Sequence, residues 1–229
     1  MAQRVGRESG RSGVSIATVT GNTGESQMIC DWTADQWRNL QMEPFNWRWM
    51  RQTTVGQLVL NTYDHTPLSL GASGFERWVP ETDDYKVTAY EASNTANEWK
   101  LTYTPYEQFR AQYLVGSPVS GPPQFWAIAP TGDFLVGPKP DLSTYFVRAD
   151  YFIQPTELTV DGDVPAMPQQ FHMLIVWRAV MQAAGFDAAP ETYQRAQDNA
   201  DLLHSQLVTN QGSQILINAR PLGYSGRRK

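Results

Sequence analysis

The passage from Tyr145 to Ala184 constrains the fold of this chain more than any other. Tyr145, Val147, Ala149, Tyr151 and Ile153 alternate with Phe146, Arg148, Asp150 and Phe152, which is the period of a strand. An acidic corner follows, Asp161-Gly162-Asp163, and then Pro165 and Pro168 lead into a strongly apolar run from Gln169 to Ala184. Pro168 suits the first turn of a helix, where its missing N–H is not needed. A strand therefore hands over to a helix through a short, stiff, acidic corner. Nothing in it is a catalytic device; it is a building joint.

The texture of the rest divides the same way. From Glu25 to Met42, Ile29, Trp32, Gln36/Trp37 and Leu40 recur at helical spacing, and Pro44 ends that helix because the residue before proline is driven from the α region. Phe45-Asn46-Trp47-Arg48-Trp49 follows as an aromatic knot. Gly185 is expected to cap the helix over Gln169–Ala184, and Pro190 to open a last one reaching about Thr209. Met1–Gly10 is short, with almost no apolar face. Between these ends lie seven strand candidates: Thr53–Leu60, Glu76–Val79, Tyr85–Tyr90, Glu98–Thr104, Pro123–Ala129, Phe134–Val136 and Tyr145–Ile153. Pro105–Val115 reads as a short helix. The predicted fold class is α+β. Residues 1–52 and 156–210 form a helical bundle, 53–155 a β-rich insertion of small sandwich or barrel-like type, and 211–229 an extended C-terminal arm.

Charge follows the same borders. Residues 54–155 hold six basic and eleven acidic side chains (6 − 11 = −5), which is the net charge of the whole chain. That balance argues against an open nucleic-acid-binding face. One cysteine, Cys30, excludes an internal disulfide. No apolar run approaches the ~18 residues of a membrane span, so a soluble chain without a targeting address or membrane contact is expected.

The search for chemistry returns little. His65, His172 and His204 lack metal-ligand spacing, and Asp161-Gly162-Asp163 lacks the further oxygen ligands of a calcium loop. Gly21-Asn22-Thr23-Gly24 has no Lys-Ser/Thr to reach phosphates, and Gly71-Ala72-Ser73-Gly74 fails the spacing of a nucleophile elbow. Cys30 among Ile29, Asp31 and Trp32 reads as a buried structural thiol. Carboxylates among Glu76, Glu81, Asp83, Asp84 and Glu91 offer no defined glycosidase pair, while Trp78, Trp99 and Trp126 suit either a sugar-stacking surface or a β core. No catalytic residue, cofactor site or metal site is assigned.

Four passages carry a family likeness. Gly24-Glu25-Ser26-Gln27-Met28-Ile29-Cys30-Asp31-Trp32 runs on to Trp37, Leu40-Gln41 and Trp47-Arg48-Trp49; Phe125-Trp126-Ala127-Ile128-Ala129-Pro130 is followed by Gly132 and Pro138. Tyr151-Phe152-Ile153-Gln154-Pro155-Thr156-Glu157-Leu158-Thr159 is the third. Asp161-Gly162-Asp163-Val164-Pro165-Ala166-Met167-Pro168, with Phe171-His172 and Ala179, is the fourth. In this order they resemble the adaptor (head-to-tail connector) proteins of tailed bacteriophages, the short-tailed type in particular. The resemblance implies a non-enzymatic virion protein in the neck between capsid and tail, assembled in the host cytoplasm. It implies a ring of about twelve copies of itself, seated on the portal protein and presenting a surface to a tail or nozzle protein. Double-stranded DNA would pass through without sequence-specific binding. In the family the first helix is longer, so either the true start lies upstream of Met1 or helix 1 is stunted and weakly packed.

Within that reading the arm residues Ile215, Leu216, Ile217 and Arg220 are expected to dock on the portal or the adjacent subunit, with Tyr224, Arg227 and Arg228 as further contacts. An apolar triplet in a Gly/Pro-rich tail needs a groove to cover it. Two rivals remain open: a carbohydrate-binding or glycan-cleaving tail accessory, and a tail-tube or tail-completion protein.

Overall fold

The structure, a computed structural model, describes residues 1–11, 13, 15–79, 87–116 and 119–211. In chain order the elements are α1 (Ala2–Glu8), α2 (Gly24–Gln41), β1 (Arg51–Gln57), β2 (Asp64–His65), β3 (Phe75–Trp78), β4 (Thr88–Glu91), β5 (Asn94–Lys100), β6 (Thr102–Tyr103), α3 (Tyr106–Phe109), β7 (Phe125–Ile128), β8 (Phe134–Gly137), β9 (Tyr145–Ile153), α4 (His172–Phe186) and α5 (Pro190–Gln211). The fold is α+β, with a β domain inserted between helical segments. Two compact units result, one of Met1–Trp49 with the chain from Pro155, the other of Met50–Gln154.

The helical unit is built on α4, whose Leu174, Ile175, Val176, Ala179, Val180, Ala183 and Ala184 are all buried. A helix apolar around most of its circumference needs neighbours on several sides, and α1, α2 and α5 supply them. In α2, Ile29, Trp37 and Leu40 are fully enclosed, and Thr33 donates its hydroxyl back to the Ile29 carbonyl at 2.7 Å. Trp47 Nε1 donates to the Leu40 carbonyl at 2.8 Å, satisfying an acceptor that the end of α2 would otherwise leave bare. Helix 1 is short, as expected, but the expectation that it is weakly packed is not met. Ala2, Val5 and Gly6 are buried and Val5 is completely covered. Small side chains, not a broad apolar face, let it lie close against its neighbours.

The β unit centres on β9, whose bounds are those read from the alternation. Tyr145, Val147, Ala149 and Tyr151 face the core together with Trp78, Trp126 and Phe134. β1 runs antiparallel along one edge of β9 from Arg51↔Phe152 to Gln57↔Phe146. On the other edge β4 pairs with its first half and β3 with its second, and β5 extends the sheet beyond β4. A second sheet has the order β2-β8-β7-β6. The insertion thus starts on β1 and ends on β9, so its entry and exit are paired neighbours. Gly56 is required by close approach: a Cβ there would stand 2.5 Å from the Leu70 Cα.

Two further readings change, and the short helix read over Pro105–Val115 is found with its geometry refined. Glu98–Thr104 is not one strand but parts of β5 and β6, which belong to different sheets. Buried Leu101 marks the crossing, and Thr102 N–H already donates to Gln124 O of the second sheet. Pro105–Val115 holds one α turn and then a π turn at Arg110–Leu114, which seats Phe109 and Tyr113 against Gly137. Gly185 does not end α4. The helix runs to Phe186, and Ala188 takes the left-handed conformation (φ 52°) that the glycine was expected to supply. Asp187, at the helix end, is gripped by Arg11 through Nε at 3.1 Å and Nη2 at 2.6 Å, which offsets an anion's unfavourable place beside the C-terminal dipole.

Candidate assembly surfaces

The residues expected to dock, Ile215, Leu216, Ile217, Arg220, Tyr224, Arg227 and Arg228, lie outside the described residues. The point from which that segment departs is well fixed. Leu207 is completely buried and Gln211 nearly so, so α5 is anchored to its last turn. A cavity of about 560 Å³ beside that turn is bordered by Phe171, Gln206 and Asn210.

A second groove follows α2 in the same unit, with a volume of about 430 Å³. One wall is the stripe Gln27, Asp31, Ala34, Asp35 and Arg38, spaced to project from one side of α2. The other is made by two non-helical stretches, Val19–Gly21 and Glu157–Thr159. Carboxylates hold these stretches in place. Asp161 accepts from Val19 N–H at 2.5 Å, and Asp163 accepts from the N–H groups of Thr159 and Val160 at 2.6 and 2.8 Å. Those backbone bonds hold the Asp163 carboxyl below the ordinary range. The acidic corner is a turn, as read, but its two carboxylates are structural pins.

Cys30 lies at the groove floor. Burial, then the Asp31 carboxylate, pushes its thiol up from the ordinary value, which keeps it protonated and unreactive. His172 Nε2 sits 3.0 Å from the Met167 carbonyl, a half-buried hydrogen-bonded residue. Glu43 joins α4 and α5: one oxygen is 2.6 Å from Arg178 Nη1 and the other 2.9 Å from His204 Nε2.

In the β unit, loops gather exposed apolar side chains at one place. Asn61 N–H donates to Pro140 O and Lys139 N–H to Val119 O, each at 2.9 Å, so Val59, Leu60, Val119 and Leu142 stand on connected loops. Buried His65 holds this region, with Val59 N–H donating to its Nε2 at 2.9 Å. Burial lowers the His65 pKa against the opposing pull of its backbone bonds. The Trp residues do not form a sugar platform. Trp78 and Trp126 are core residues, 3% and 0% exposed, and the indole N–H groups of Trp78 and Trp99 are spent on the carbonyls of Gly132 and Pro123.

Among the described residues no group of three or more His, Cys, Asp or Glu is placed to hold a metal ion, and no helix is long and apolar enough to cross a membrane. The exposed features are open grooves and apolar loops set on rigid cores. The family model of the SU10 adaptor protein matches residues 1–219, and the chain belongs to that family of bacteriophage adaptor proteins. No curated protein matches the sequence. The α2 groove is not legible from the helical spacing of Ile29, Trp32, Trp37 and Leu40, which reports only the buried face of that helix. The spacing of Asp31, Asp35 and Arg38, four and then three residues apart, was the available signal.

Proposed function

We propose that this adaptor forms a ring of about twelve copies in the virion neck, joining the portal at the capsid vertex to the tail and extending the DNA channel. It acts by binding and without catalysis, with the tail or nozzle protein on its far side and host cytoplasm as the place of assembly. The observation that carries the reading is the extent of the family match. It takes in the helical unit, the β insertion and the apolar triplet Ile215-Leu216-Ile217. Portal or neighbouring-subunit contact is assigned to that triplet with Arg220, and to Tyr224, Arg227 and Arg228. The domain division proposed with it is a bundle of 1–52 and 156–210, an insertion of 53–155 and an arm of 211–229. The short-tailed type of virion suits it.

Copy number relative to the portal protein in purified virions, measured by quantitative mass spectrometry, tests this. Near-equal numbers are expected. Many-fold excess would assign the chain to a tail tube instead, and absence from particles would overturn the structural role. Core burial of Trp78 and Trp126 disfavours the carbohydrate reading, so no second function is advanced.

A further inference from the structure

We propose that the groove along α2 receives the basic end of the chain, Arg220–Lys229, from a second copy. Identification of the partner as a second copy rests on the ring reading above; the chemistry of the groove does not.

The groove is open, and its charge is unbalanced. Asp31, Asp35 and Glu157 face Arg38 alone, a surplus of two negative charges (3 − 1 = 2). Arg38 stands 4.0 Å from Glu157, which leaves the two aspartates as the excess. Among the described residues Asp31 accepts from Gln27 alone, a neutral amide, at 2.6 Å. Asp35 is exposed and takes no hydrogen bond or ion pair among the described residues. Two carboxylates four residues apart on one helix face repel each other unless a cation lies between them. The opposite wall supplies a complementary element. The backbone N–H and C=O of Leu158 make no hydrogen bond among the described residues, and a peptide laid along the groove can pair with them while its side chains reach the helix wall. Val19, Ala34 and Leu158 give the floor an apolar strip for the stems of long side chains.

The chain holds a segment with the matching chemistry. From Gly212 to Lys229 there are four basic residues, Arg220, Arg227, Arg228 and Lys229, and no acidic one. Pro221 favours extended backbone, and Gly223 and Gly226 permit close passage. The nine residues from Gly212 to Arg220 reach about 30 Å when extended, comparable to the roughly 27 Å length of an 18-residue helix such as α2. A span of that length is enough, if extended, to carry the basic residues from the last turn of α5 to a neighbouring copy. A tail of one copy in a groove of the next is a heterologous contact, the kind that closes rings.

The test uses the full chain with Cys30→Ser, Asp35→Cys and Arg228→Cys, oxidised both free at high concentration and in assembled particles, then run on a non-reducing denaturing gel. A ladder of covalent multimers is expected, with none when Asp35→Cys is replaced by Asp198→Cys on the exposed side of α5. A disulfide confined within single chains would overturn the second-copy assignment. No disulfide in either setting would overturn the groove. As an independent reading, Asp31→Lys with Asp35→Lys should weaken self-association about tenfold or more, and adding Arg227→Glu with Arg228→Glu should restore it. Unchanged association in the first variant would also sink the proposal. A ladder formed by a chain whose copy number fails to match the portal would retain the groove and discard the ring.

Discussion

His65 shows how one side chain ties a loop to the solvent's pH. Its Nε2 accepts the Val59 N–H at 2.9 Å, so that nitrogen must be bare and the ring neutral, with Nδ1 toward the Tyr63 carbonyl at 3.3 Å. Protonating Nε2 would turn an acceptor into a donor facing a donor. Burial already holds the folded pKa below the unfolded value of about 6.5. The unfolded chain therefore binds this proton more readily, and the contribution of His65 to stability is complete above about pH 6.5 and lost as pH falls below it. Neighbouring Asp64 works the other way, because burial, then Asp133, raises its pKa, but it does so in the lower carboxylate range. Thermal midpoints of the whole chain should be level from about pH 8 to 7 and drop at more acid values. His65→Asn should flatten that drop even if its midpoint is lower throughout. A slope of the same size in the variant would remove His65 as its cause.

At the level of elements, Glu43 is the residue that holds α4 and α5 to the segment following α2. Its carboxylate contacts Arg178 at 2.6 Å and His204 at 2.9 Å, and the Glu43 and Arg178 side chains are only 25% and 20% exposed. Glu43→Ala leaves a largely covered guanidinium without its acceptor, at a cost of about 1–3 kcal/mol. Adding Arg178→Met removes the stranded charge, so the double variant should melt above Glu43→Ala alone, as read by calorimetry. Equal midpoints for wild type and Glu43→Ala would show the bridge to be idle. Such ties were invisible in the sequence, where Glu43, Arg178 and His204 lie far apart. The elements themselves were visible where local pattern decides them. β9 was legible to its ends because five alternating positions face one core. β2 was not, since Asp64-His65 is too short to alternate. The end of α4 was misplaced because Arg11, distant in sequence, lets Asp187 and Ala188 do what Gly185 would have done alone.

For the whole molecule, the shift from helical to strand texture and the acidic middle disclosed an inserted β domain before any coordinate. The groove along α2 needed three separated stretches brought together, which no periodicity reports. The charge pattern also bears on the proposed channel. Residues 54–155 carry eleven acidic and six basic side chains, and the chain as a whole carries net −5. Binding to duplex DNA depends on cations that displace condensed counterions, and its logarithm falls with the logarithm of salt in proportion to the phosphates engaged. A chain whose acidic side chains outnumber its basic ones releases few counterions on meeting a duplex. The purified chain should therefore bind random-sequence duplexes no more tightly than about 10⁻⁴ M at physiological salt, with no dependence on sequence. Fluorescence anisotropy across a salt series measures this directly. Micromolar binding that persists at physiological salt would mean that the basic residues, Arg220, Arg227, Arg228 and Lys229 foremost, serve the nucleic acid. The tail would then be a DNA contact, and the passive channel would have to be given up.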